Sequence, residues 1–195
     1  MEVLHGRRSI RRYQSTPVSR ADIETILCAG SAAPSSKNRQ PWRFIVAEGS
    51  AKEEALAAMD RGLTRERETP LLPGSVRYLA GAKATLNIMR QAPVLIFVAD
   101  PIGMDLHTVL TAEERIYERC NAQSIGAAVE NMTLAATALG LGSLWICDTC
   151  FAQAELQDWL GEAGELVAAL AVGYADEAPP ARPRRPLEET VIWRA

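Results

Sequence analysis

The sequence predicts an α+β protein forming one domain over residues 1–195. Three observations carry this expectation. Segments with a helical apolar period and short β-prone runs mix along the chain without the strict strand–helix alternation of a parallel α/β fold. At 195 residues the chain is long enough for one full hydrophobic core and short for two. Its 48% hydrophobic and 23% charged residues match an ordinary globular composition.

Taken in order, Ser19 suits the cap of a helix whose buried face is Ile23, Ile26, Leu27 and Gly30, at i, i+3, i+4, i+7 spacing. Pro34 marks the end of that helix. Trp42 to Ala47 is a short β-prone run, hence a strand. Ser50 and Glu53 have the spacing of a capping box and open a second helix through about Met59. Residues 63–75 mix charges with Pro70, Pro73 and Gly74, which reads as a mobile loop. A third helix is expected over Val76 to Arg90, then a buried strand over Val94 to Ala99.

The longest helical pattern runs from about Glu113 to Leu139. Ile125, Val129, Met132, Ala136 and Leu139 form one face, read as core, and Gly140 and Gly142 suit the C-terminal cap. Ser143 to Ile146 reads as a strand, Ala152 to Leu160 as a short helix and Leu166 to Tyr174 as a strand. The tail from Ala178 to Pro186 is proline-rich and extended, with β character returning at Val191, Ile192 and Trp193. Such a tail builds no core of its own and is expected to lie across another surface.

Composition and motifs also exclude some functions. The uninterrupted apolar run Pro93 to Ala99 is far below the roughly 20 residues of a membrane-spanning helix. The N-terminus carries a basic cluster and no apolar stretch of a signal peptide, so the expected location is cytoplasmic. A formal net charge of -3 argues against a nucleic-acid binder. Cys28, Cys120, Cys147 and Cys150 are then expected as free thiols. Gly140-Leu141-Gly142 follows a helix and lacks the third glycine of a dinucleotide fingerprint, and there is no P-loop.

Two clusters could carry chemistry. In Arg7-Arg8-Ser9-Ile10-Arg11-Arg12, an extended backbone puts Arg7, Ser9 and Arg11 on one face. Guanidinium groups flanking a hydroxyl bind a phosphate dianion through charge-assisted hydrogen bonds, although a solvated basic face has the same composition. Arg182 and Arg184 add to this only if the fold brings the chain ends together. In Ala33-Pro34-Ser35-Ser36-Lys37-Asn38-Arg39-Gln40-Pro41-Trp42, two prolines bracket hydroxyl and amide groups. That stretch suits the donor and acceptor edge of a flat heterocycle, and equally an ordinary helix-to-strand loop. Cys147-Asp148-Thr149-Cys150 is a C-x-x-C sequence that could be a redox pair, half a zinc site or a bystander. There is no second such pair, only His5 and His107 could add histidine ligands, and no metal is expected.

With these residues in view, Arg7 to Tyr13 and Ala33 to Trp42 resemble the opening of the nitroreductase family. The segment Leu139 to Ile146 and the closing Arg182-Pro183-Arg184-Arg185-Pro186-Leu187-Glu188-Glu189 resemble two further family blocks. All four stand in the family's order and span nearly the whole chain. The resemblance implies a mainly antiparallel sheet flanked by helices, and a homodimer with two FMN molecules at the subunit interface and a tail reaching the partner. It makes Arg7, Arg8, Ser9 and Arg11 phosphate and ribityl contacts, joined by Arg182 and Arg184, with Pro34, Ser35, Ser36 and Asn38 supplied by the partner. The backbone after Trp145 would face the flavin N5 and O4 edge. Cys147 and Asp148 stand there, where family members often have glycine, which affects the substrate pocket more than the flavin site. Asn87 corresponds to a family asparagine at the pyrimidine ring, with imperfect spacing to Pro93.

The implied chemistry is hydride transfer from NADH or NADPH to flavin N5, then to an electron-poor small-molecule acceptor such as a nitroaromatic or quinone. The flavin carries the redox step, so no catalytic side chain is expected. Two readings of other classes stay open: a flavin-binding protein without NAD(P)H turnover, and a C-x-x-C thiol or metal module.

Overall fold

In a computed structural model that describes residues 1–71, 74–105 and 107–194, a four-stranded sheet lies between two helical layers. The elements are α1 (Glu2–Gly6), α2 (Arg20–Ser31), β1 (Arg43–Ala47), α3 (Gly49–Glu68), α4 (Leu79–Gln91), β2 (Val94–Asp100) and α5 (Ala112–Ala138). They continue with β3 (Gly142–Ile146), α6 (Gln153–Leu160), β4 (Glu165–Gly173) and α7 (Leu187–Thr190). The strand order is β1-β2-β4-β3, and every pairing is antiparallel. This is the α+β architecture the sequence implies.

Strand alternation divides the core. Leu95 and Phe97 of β2, with Ala169 and Ala171 of β4, face a cluster built on Leu56, Met59, Leu86, Met89 and Leu156 of α3, α4 and α6. Ile96 and Val98, with Leu170 and Val172, face Ile23 and Ile26 of α2 and Ile125, Val129 and Met132 of α5. β2 is buried along its whole length because helices cover both its faces. No helix among the described residues is long and apolar enough to cross a membrane.

Local signals place several ends as expected. Ser19 caps α2, its Oγ accepting from the Asp22 N–H at 3.1 Å. A capping box that the sequence reading missed, Thr111 with Glu114, starts α5. Gly140, at φ 75°, follows the end of α5.

Several expectations need correction. Ser50 and Glu53 form no capping box, because α3 begins at Gly49 after Glu48. α3 also runs through Glu68, across much of the segment read as a loop. Its buried face continues through Gly62, Leu63 and Glu66. Arg65 grips Glu155 of α6 through two 3.0 Å hydrogen bonds, so charges that suggested solvent instead brace two helices. Pro70 acts only at the end of that helix. The third helix begins as a 3-10 turn, Ser75–Tyr78, before α4 proper. Leu139 is 38% exposed, outside the core face, and Val191 to Trp193 form no strand, with Ile192 and Trp193 exposed.

Candidate functional site

The site begins at the open edge of β3. Ser9 bridges Ser143 in parallel, and the Ile10 N–H donates to the Ser143 carbonyl at 2.9 Å. Gly142 permits this approach: a Cβ there would lie 2.8–3.0 Å from three Ile10 carbons. Tyr13 anchors the other end of the segment, donating from its buried hydroxyl to the carbonyls of Ile10 at 2.9 Å and Ala171 at 3.3 Å. Burial, then the nearby Glu177 charge, pushes that phenol well above its ordinary range.

The chain leaving β4 returns along the same segment. Gln14 N–H donates to the Tyr174 carbonyl, Asp176 N–H to the Arg12 carbonyl, and Arg11 N–H to Glu177 Oε1. These bonds send the proline-rich tail back over the N-terminal arginines. The result is a cleft of about 540 Å³ lined by Leu4, His5, Arg7, Arg8, Ser9, Arg11 and residues 179–184. The two arginine clusters therefore meet although they lie at opposite ends of the chain.

Five guanidinium groups line the cleft: Arg7, Arg8, Arg11, Arg182 and Arg184. Arg7 Nε lies 3.8 Å from Glu130 Oε1 on α5. Arg8 donates to the carbonyls of His5 and Arg7, and Arg11 to that of Ser9 at 3.1 Å. Arg184 donates to the carbonyls of Arg182 and Pro183. Arg12 pairs instead with Asp176 at 2.9 Å. The donor set is strongly cationic and matches an oxyanion of charge near two.

Pro34, Ser35, Ser36 and Asn38 do not line this cleft of their own chain. They form a loop around a 3-10 turn, Ser36–Asn38, in which Ser35 Oγ accepts from the Gln40 N–H at 3.0 Å. Gln40 Nε2 donates to Asn38 Oδ1 at 3.3 Å.

Cys147 and Asp148 follow β3 directly. Asp148 Oδ2 accepts from Thr85 Oγ1 of α4 at 2.5 Å, tying that turn to the helix. Burial pushes the thiols of Cys147 and Cys150 upward, and the Asp148 charge adds to it. All four cysteines are free thiols, and no group of three or more potential metal ligands occurs among the described residues. Asn87 is exposed on α4, accepting from Arg90 at 2.8 Å. Two residues beyond Thr85, it projects to a different side of the helix and joins neither cluster.

Sequence reasoning missed His5, Pro179, Pro180 and Ala181 as cleft lining, and Glu130 as the partner of Arg7. None has a local signal, because each reaches the site through the tail's return or the packing of α5.

A family model described as "Nitroreductase family" matches residues 4–174. A protein of Archaeoglobus fulgidus, provisionally named an NADH dehydrogenase/NAD(P)H nitroreductase, is 32% identical over 146 residues, 75% of this chain and 66% of that protein. The 5,6-dimethylbenzimidazole synthase of Rhodospirillum rubrum is 28% identical over 144 residues, 72% and 64% of the two chains. The match thus spans about two thirds of the length of these curated relatives. Among solved structures, a BluB-like flavoprotein of Clostridium difficile 630 superposes with a TM-score of 0.76 at 27% identity, covering 100% of this chain and 98% of that one. A provisionally named nitroreductase of Desulfovibrio desulfuricans, solved in complex with FMN, gives 0.72 at 30% identity, covering 100% and 95%. With a family model matching 171 of its 195 residues, the chain belongs to the nitroreductase family.

Proposed function

We propose that this protein is an FMN-dependent oxidoreductase that takes hydride from NADH or NADPH and delivers it to an electron-poor acceptor such as a nitroaromatic or quinone. The observation that carries the reading is the cleft in which both chain ends converge five arginines around Ser9. That donor set fits a terminal phosphate: guanidinium groups supply bidentate, charge-assisted hydrogen bonds to a dianion, and the Ser9 hydroxyl adds one neutral donor. FMN carries such a phosphate. Bound FMN would supply the two-electron chemistry at N5, so the protein's part is binding, orientation and electrostatics.

In this reading Arg7, Arg8, Ser9, Arg11, Arg182 and Arg184 hold the phosphate and ribityl chain. Pro34, Ser35, Ser36 and Asn38 reach the isoalloxazine from the other subunit of a homodimer, consistent with their absence from the cleft of their own chain. The backbone at Cys147 and Asp148 borders the N5 and O4 edge, and Thr85 steadies it through Asp148. Asn87, exposed on α4, is the candidate contact to the pyrimidine ring.

The test is anaerobic reduction of the FMN-loaded protein. Bleaching of the flavin by NADH or NADPH, followed by reoxidation with a nitroaromatic or quinone and recovery of intact FMN, supports the reading. A protein that binds FMN yet is reduced by neither nucleotide is a flavin-binding protein without this turnover.

A further inference from the structure

The loop between Pro34 and Pro41 adopts a backbone its sequence does not favour. Lys37, Asn38 and Gln40 lie at φ 53°, 54° and 50°, a left-handed region that lysine and glutamine rarely occupy. Contacts within the loop fix Asn38 Oδ1 through Gln40, as described above. The backbone N–H of Asn38 donates to the Ser35 carbonyl at 3.0 Å, whereas its side-chain Nδ2 has no partner among the described residues, so that donor is left available.

Two further contacts tie the loop to α5. The Ser36 N–H donates to Ser124 Oγ at 3.3 Å, and the Ser124 hydroxyl donates onward to the Cys120 carbonyl at 2.7 Å. One rotamer of this buried serine thus satisfies both bonds. Two turns earlier on the same face, the Tyr117 ring lies 4.4 Å from the Arg39 guanidinium. The Tyr117 hydroxyl donates to Glu113 Oε1 at 2.9 Å, which restrains the ring. Arg39 makes no carboxylate pair among the described residues, so the stack is its principal anchor.

We propose that Tyr117 and Ser124 are positioning residues of the flavin site. They clamp the loop at Arg39 and Ser36, on either side of Asn38, so that the Asn38 amide meets the flavin of the partner subunit in one orientation. The inference rests on the reading above that this loop contacts FMN. It adds that α5 of the same chain sets the loop's geometry.

The experiment is FMN titration of the apoprotein, followed by flavin fluorescence, for a small set of variants. Tyr117→Leu removes the stack and should weaken binding about two- to five-fold. Tyr117→Phe keeps the ring and should bind as wild type. Arg39→Gln, at the exposed side of the stack, should reproduce Tyr117→Leu and serves if that variant does not fold. Ser124→Ala should weaken binding in the same direction.

A double-mutant cycle separates positioning from general stability. In an Asn38→Ala background, Tyr117→Leu should cost nothing further, because its effect passes through Asn38. Additive losses would overturn the inference, as would wild-type binding by Tyr117→Leu or Arg39→Gln when Asn38→Ala is impaired. If Asn38→Ala itself binds FMN as wild type, the reading of the loop fails and this inference falls with it.

Discussion

Replacing Gly142 by alanine should damage stability and the cleft together, because one close approach serves both. The new Cβ would lie 2.8–3.0 Å from Cγ1, Cβ and Cγ2 of Ile10. Carbon atoms pack best at roughly 3.5–4.0 Å, so the overlap is about 0.5–1 Å against three atoms at once. Holding the strain costs on the order of 1–3 kcal/mol. Letting the segment lift away loses the burial of Ile10, about 1.5–3 kcal/mol, and its hydrogen bond to Ser143, about 0.5–1.5 kcal/mol. The cheaper response wins, which sets the expected loss at about 1–3 kcal/mol.

For a chain of this size that corresponds to a fall in Tm of roughly 2–12 °C in a thermal melt. FMN affinity should fall with it, since Ile10 sits between Ser9 and Arg11, which line the cleft. Gly81→Ala is the control: its Cβ meets nothing within 4 Å, and it lies inside α4, where alanine is the better helix former. A Gly142→Ala protein with unchanged Tm and unchanged FMN affinity would refute the claim that this approach positions the arginines.

Arg184→Ala should weaken FMN binding by about 10- to 150-fold, the value of losing a hydrogen bond of roughly 1.5–3 kcal/mol to a charged group. An unchanged dissociation constant removes Arg184 from the site. Cys150→Ser should retain NADH-dependent flavin bleaching, and its loss would give the C-x-x-C pair a role in turnover. Because burial raises both thiols, the thiolate fraction at neutral pH is smaller than for a free cysteine. Labelling of Cys147 and Cys150 by a thiol reagent should therefore be slow at pH 7 and accelerate as pH rises past the ordinary cysteine range; rapid labelling at pH 7 contradicts this. Subunits carrying Arg7→Ala with Arg184→Ala, mixed with subunits carrying Asn38→Ala, should regain FMN binding above either parent, up to one working site per mixed dimer. Verified mixed dimers with no recovery would refute a site shared between chains.

What the sequence made legible was whatever a short window contains. Ser19 before an apolar period marks α2, and the uninterrupted apolar run of Val94 to Ala99 marks a strand buried on both faces. The arginine clusters stood out as charge runs, but only the bonds of residues 174–177 to the N-terminal segment make them one cleft. α3 was misjudged beyond Met59 because Arg65 and Glu66 read as solvent-facing. The partner of Arg65, Glu155, lies ninety residues along the chain, and Glu66 turns back to the Leu71 N–H just past the helix end. Tyr117 and Ser124 were invisible for the same reason: on α5 they look like ordinary helix residues, and only the loop packed against them gives them a role.

The central claim is that the cleft formed by the two chain ends holds the phosphate of FMN. Denaturing the purified protein and identifying the released flavin by mass spectrometry tests it most directly. If no flavin co-purifies, titration of the apoprotein with added FMN replaces that step. The expected result is FMN, bound with an affinity that falls in Arg184→Ala. Release of FAD, or no affinity for added FMN, would contradict the account.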